Sequence, residues 1–111
     1  MIKHGYKIVK KTADKLTSVT AIGEGYTVYP PGETVHAKPG CGPMAVFNDV
    51  FFARKYYNGY YLPHCRMWRC EYEDSNRECL YGGGDYAMCR DDTPFGTAFA
   101  ESVKLIEEVR I

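Results

Sequence analysis

Arg66-Met67-Trp68-Arg69-Cys70-Glu71-Tyr72-Glu73 is the stretch on which the fold turns. Trp68, Cys70 and Tyr72 share one side of it, while Met67, Arg69, Glu71 and Glu73 take the other. A period of two over this length reads as a half-buried β-strand, because successive strand side chains point to opposite faces.

The same pattern recurs on the N-terminal side. Gly5 to Lys11 alternates Tyr6, Ile8 and Lys10 against Lys7, Val9 and Lys11. The polar stretch Thr12-Ala13-Asp14-Lys15 and the β-branched run Leu16 to Ile22 complete a hairpin. Gly23-Glu24-Gly25 and Pro30-Pro31-Gly32 break the chain around a short extended piece, Tyr26 to Tyr29. Thr34 to Ala37 reads as one more short strand. After the breakers Pro39-Gly40-Cys41-Gly42-Pro43, Met44 to Phe47 reads as a buried strand.

A helix is predicted over 49–57. Asn48 stands where an N-cap belongs, Asp49 suits the dipole of the first turn, and Asn58-Gly59 supplies a stop. Val50, Ala53 and Tyr57 fall on one helical face, flanked by Phe52 and Tyr56.

Residues 74–92 read as a long irregular loop rich in Gly, Asp and Cys. From Phe99 to Ile111, Val103, Leu105, Val109 and Ile111 keep a period of two, while Phe99, Val103, Ile106 and Val109 also fit helical spacing. The β-branched residues favour a strand. The expected fold is α+β: one domain over 1–111, a largely antiparallel twisted sheet, and one main helix packed on it.

Composition sets the outer limits. The chain has 111 residues, 45% hydrophobic and 25% charged, and a domain of this length buries roughly 65% of its unfolded surface. Lys plus Arg (14) equals Asp plus Glu (14), so no overall field draws in nucleic acid or an anionic membrane. The longest apolar runs, such as Met44-Ala45-Val46-Phe47, fall far short of the roughly 20 residues of a spanning helix. Met1 to Tyr6 has no apolar segment of the signal-peptide kind. A cytoplasmic, unsecreted protein is the expectation.

Ten tyrosines bias the composition towards strands and amphipathic surfaces, and such surfaces suit self-association into a dimer. Five cysteines need separate treatment. Cys65, Cys70, Cys79 and Cys89 are separated by four, eight and nine residues, which is not the tight knuckle spacing of zinc modules, so no metal site is assigned. Three states stay open: free thiols, a Cys79–Cys89 disulfide closing the glycine-rich loop, and metal ligation. Free thiols are favoured. Cys41 has no partner in spacing, and His4, His36 and His64 are the only imidazoles, none placed beside it. Gly82-Gly83-Gly84 lacks the Lys-Ser/Thr pair of a phosphate loop. Arg54, Lys55, Arg66 and Arg69, interleaved with Tyr56, Tyr57, Tyr60, Tyr61 and Trp68, have the mixture that holds single-stranded nucleic acid, although aromatics at such spacing usually serve a core.

Two families are similar in the order of their segments. Tyr6-Lys7-Ile8-Val9, Tyr29-Pro30-Pro31-Gly32-Glu33, Gly42 to Phe47 before a helix with Ala53, Met67 to Glu73, and Phe99 to Val109 together resemble a small domain of unknown function found in viruses, phages and prokaryotes. That likeness implies a terminal strand and a viral protein, resident in the host cytoplasm. More weakly, His4-Gly5, Gly42 to Phe47, Ala53 with Tyr56 or Tyr57, and Glu101 or Glu107 resemble the motif order of ADP-ribosyltransferases. This second likeness implies an NAD-dependent transferase.

The residues themselves assign no catalytic or cofactor-binding group and imply no cofactor. A non-enzymatic binding or accessory protein is the favoured expectation, acting on a protein partner or on itself. An ADP-ribosyl transferase and a single-strand nucleic-acid module are the alternatives.

Overall fold

The computed structural model describes residues 1–18, 27–38, 43–60, 64–77, 79–81, 87–89, 93 and 95–110, with backbone alone at 59, 60, 79–81 and 87–89. The pieces expected around Gly23-Glu24-Gly25 and Pro39 to Gly42, with Cys41, lie outside these residues. The order is β1 (Ile2–Thr12), β2 (Lys15–Thr17), β3 (Thr34–His36), β4 (Met44–Phe47), α1 (Val50–Tyr60), β5 (Cys65–Asp74), β6 (Cys79–Tyr81), β7 (Ala87–Cys89) and β8 (Thr97–Val109). Six of the strands form one antiparallel sheet, and α1 packs on it: the α+β architecture expected from the alternation.

The sheet closes on itself. β5 pairs with β1 from Ile2↔Glu73 to Lys10↔Cys65, and on its other edge with β8. β8 pairs with β4 from Met44↔Ala100 to Phe47↔Thr97. A single pair, Tyr6↔Phe47, then joins β4 back to β1. β2 continues the ring along β1, and β3 along β8. Closure removes the exposed edges along which sheets aggregate.

Closure buries the inner face of β1 and α1 covers part of its outer face, which explains why Lys7, Ile8 and Val9 are all buried in succession. Inside lie Val9, Val46, Cys70, Tyr72, Val103 and Leu105, each at most 3% exposed. Outside, between α1 and the sheet, lie Ile8, Phe47, Ala53, Cys65 and Met67, flanked by Val50, Phe52, Tyr56 and Tyr57. Each fully buried aliphatic side chain contributes about 1.5–3 kcal/mol. Tyr57 is held to the sheet by its hydroxyl, which donates to the Cys65 carbonyl at 3.1 Å.

Two β-bulges let β8 coil around β5. Arg69 pairs with Glu107 but Cys70 with Leu105, leaving Ile106 extra; Glu73 pairs with Ser102 but Asp74 with Ala100, leaving Glu101 extra. Each extra residue turns the following side chains to the opposite face. The period of two expected through Val103, Leu105 and Val109 therefore breaks at Ile106. Val103 and Leu105 point inwards, whereas Val109 packs outside against the Met67 cluster.

Two further expectations are corrected locally. The cap of α1 is Asp49, not Asn48: Asp49 Oδ1 accepts from the Phe51 amide at 2.7 Å, so the aspartate satisfies a free helix donor. The helix also runs through Asn58-Gly59 to Tyr60. Residues 74–92 are not wholly irregular, because β6 and β7 pair within them as a separate two-stranded ribbon.

Candidate functional site

Past the start of α1, the outer face of β1 and β5 turns polar. Alternation carries His4, Tyr6 and Ile8 on this face, where His4 stands opposite Glu71 and Tyr6 opposite Arg69. Arg69 Nε donates to Glu107 Oε1 at 2.9 Å. His4, Gly5, Tyr6 and Arg69 form one wall of an open cleft of about 260 Å³, and Asn48, Asp49 and Val50 form the other. Small-molecule pockets usually measure about 300–1,000 Å³ and enclose their ligand. A cleft this small and open suits a single side chain of a partner better than a dinucleotide. Its charges are also occupied, Arg69 by Glu107 and Asp49 by the helix amide.

Beside the cleft stands an aromatic ridge. The Phe51 and Phe52 rings meet edge to face with centroids 5.3 Å apart, and Phe52 meets Phe95 in the same manner at 4.9 Å. Phe51 is 63% exposed and Phe95 81%. Gly96 permits this arrangement. Its φ is +86°, and a Cβ there would lie 2.7 Å from the Phe52 side chain, so only glycine lets the turn before β8 close onto α1. The Asn48 amide completes the junction by donating to the Gly96 carbonyl at 3.0 Å. The sequence reading missed Phe95. The one available signal was a glycine directly after an aromatic at the threshold of a strand.

The residues singled out from the sequence fall in several places. Of the transferase-like series, His4 lines the cleft, and Glu107 reaches it only through Arg69. Ala53 is fully buried on the face of α1 that meets the sheet, where Tyr56 and Tyr57 also pack, so these three build the core. Glu101, an extra bulge residue, accepts from the Ser75 hydroxyl and from Arg77 Nε and Nη2, the latter two at 2.8 and 2.7 Å. The Arg77 guanidinium, helped by Ser75, holds its carboxyl below the usual range. Glu101 thus ties the end of β5 to β8. Of the basic and aromatic mixture, Trp68 packs inside the ring and Arg69 is paired, while Arg54 and Lys55 remain at the surface.

Lys7 enters the ring interior. Only 9% exposed, it donates from Nζ to the Ala45 carbonyl at 2.6 Å and lies 5.3 Å from the centroid of Tyr29. The carbonyl and the ring face offset its desolvation. Nearby Trp68 buries its Nε1 with no acceptor among the described residues.

Cys65 and Cys70 are free thiols on opposite faces of β5, one in each hydrophobic cluster, so they cannot converge on one metal ion. Burial pushes the Cys70 thiol up to about 12, with Lys7 pulling weakly the other way, and burial raises Cys65 as well. Folded Cys70 keeps its proton where the unfolded thiol has lost it. Its contribution to stability is therefore intact below the ordinary thiol pKa and fades as pH climbs towards about 12. Iodoacetamide at pH 8 should label native Cys70 about a thousandfold more slowly than the unfolded chain, since the thiolate fraction falls tenfold per unit. Peptide mass spectrometry of timed quenches reads this directly. Equal labelling in both states would remove Cys70 from the ring interior.

No helix among the described residues is long and apolar enough to cross a membrane, and no group of three or more potential metal ligands occurs among them. The chain matches no protein-family model, and no curated protein or solved structure gives a match.

Proposed function

We propose that this is a non-enzymatic binding protein, an accessory module that associates with a second copy of itself through the Phe51–Phe52–Phe95 ridge. The observation that supports this reading is the exposure of two large aromatic side chains within one stacked cluster. Rings already held against one another lose little conformational freedom on docking, which is why aromatics dominate interface energetics. A second copy is the favoured occupant because the chain carries 14 positive and 14 negative side chains, so no net charge keeps two copies apart. A two-fold contact would stack ridge on ridge. The polar cleft lies at its rim, sized for one side chain. Likeness to small domains of viruses, phages and prokaryotes is consistent with an accessory role of this kind, in a virus.

Analytical ultracentrifugation over a concentration series tests the reading. The expected result is a reversible dimer whose dissociation constant rises roughly a hundredfold in the Phe51→Ser/Phe95→Ser double variant, at 1–2 kcal/mol per truncated anchor. Circular dichroism should be unchanged, since both rings lie outside the cores. A wild type that stays monomeric throughout would overturn the self-association. Label transfer from NAD that disappears in His4→Ala would overturn the non-enzymatic reading. Salt-sensitive retention by single-stranded oligonucleotides would move the function to nucleic acid.

A further inference from the structure

Among the described residues, β6 and β7 pair with each other and with no strand of the ring. The ribbon consists of three antiparallel pairs, Cys79↔Cys89, Leu80↔Met88 and Tyr81↔Ala87, joined by residues 82–86, which read Gly-Gly-Gly-Asp-Tyr. Isolated two-stranded ribbons are marginal in water. A connection whose sequence is rich in glycine adds to the entropy that pairing must overcome. At its open end, where the chain enters from β5 and leaves towards β8, the register sets one cysteine directly opposite another.

We infer that Cys79 and Cys89 form a reversible disulfide, a redox staple that holds this ribbon closed. Directly opposed residues of an antiparallel pair have Cα atoms about 4.5 or 5.5 Å apart, depending on the type of pair. Both distances fall within the roughly 4.4–6.8 Å span of disulfides. No other cysteines are so placed among the described residues. Cys65 and Cys70 sit on opposite faces of β5 in separate clusters.

The oxidant is a small-molecule disulfide such as oxidised glutathione. One cysteine, as its thiolate, attacks a glutathione sulfur, forming a mixed disulfide and releasing the first glutathione thiol. The second cysteine then displaces the second glutathione. Two protein thiols lose their hydrogens and two electrons, the glutathione S–S bond gains them, and one S–S bond replaces another. The position of that exchange makes the ribbon responsive to the redox poise of its compartment.

The test uses the whole protein equilibrated across a series of oxidised-to-reduced glutathione ratios, native and in urea. Samples are acid-quenched, blocked with N-ethylmaleimide and digested with trypsin. Cleavage after Arg77 and Arg90 releases residues 78–90, which contain Cys79 and Cys89 and no other cysteine. The expected product from native protein is this peptide lighter by two hydrogen atoms and free of maleimide, its exchange constant at least about tenfold larger than in urea because folding holds the two residues together. Cys79→Ser should leave Cys89 as a maleimide or glutathione adduct, with the remaining thiols unchanged. Two maleimides on the peptide at the most oxidising ratio, or equal constants in native and unfolded protein, would overturn the inference.

Discussion

Gly5→Ala is expected to destabilise the protein by about 3 kcal/mol, the upper part of the range for overpacking an interior site. An added Cβ would lie 2.5 Å from the Phe47 carbonyl oxygen and 2.8 Å from the Tyr72 ring. Neither neighbour can yield easily. The carbonyl belongs to β4 at the place where Tyr6↔Phe47 closes the ring, and Tyr72 is 3% exposed inside it. Gly5 is thus the residue that lets β4 cross close to β1. Gly32→Ala supplies the contrast. Gly32, unlike Gly5, has a left-handed φ, +81°, and nothing lies within 4 Å of a Cβ built there. Its cost is conformational only, about 1–2 kcal/mol. Urea midpoints of the two variants separate steric exclusion from backbone preference, and identical midpoints would mean that the close approach at Gly5 is not a constraint.

Leu105→Ala is expected to cost about 2–5 kcal/mol, the price of lost burial plus a cavity that the ring cannot collapse to fill. Leu105 is 1% exposed and stands opposite Cys70 in the interior cluster. Strand pairing on all sides limits relaxation. For a domain of this size the melting temperature should fall by roughly 10 °C or more. Glu108→Ala, three residues on and exposed, should leave it nearly unchanged. A small loss at Leu105 would show that the bulge at Ile106 does not turn Leu105 inwards.

Much of the architecture was readable because alternation is a local property. Met67 to Glu73, Gly5 to Lys11 and Met44 to Phe47 all became strands, and the Val50, Ala53, Tyr57 face of the helix is the one that packs. Closure was not readable. Nothing in the residues themselves says that Tyr6 meets Phe47, and the two extra residues on β8 obey no periodic rule. Burial on both sides of β1 was the one trace, in the adjacent apolar residues Ile8 and Val9. The candidate site was less legible still. Phe52 was read on the flank of the helix and Phe51 was not singled out; their meeting with Phe95 depends on a turn that only the left-handed Gly96 permits. His4 drew notice for a family likeness, and its place in a cleft follows from strand register. Trp68 and Tyr56 resembled a binding surface in sequence and are used for packing.

The ring is assembled from strands far apart in the chain: β1 pairs with β5, β5 with β8, and β8 with β4. During synthesis the first strand therefore has only short partners, β2 and a single pair with β4, until some sixty residues later β5 is made, and β4 waits longer still for β8. Non-local pairing of this kind folds slowly, since the chain must be ordered before contacts reward it. A nascent chain halted before Thr97 would leave β4 and β5 each with an unsatisfied edge, which makes the thirteen-residue β8 the piece that converts a sticky intermediate into a closed ring.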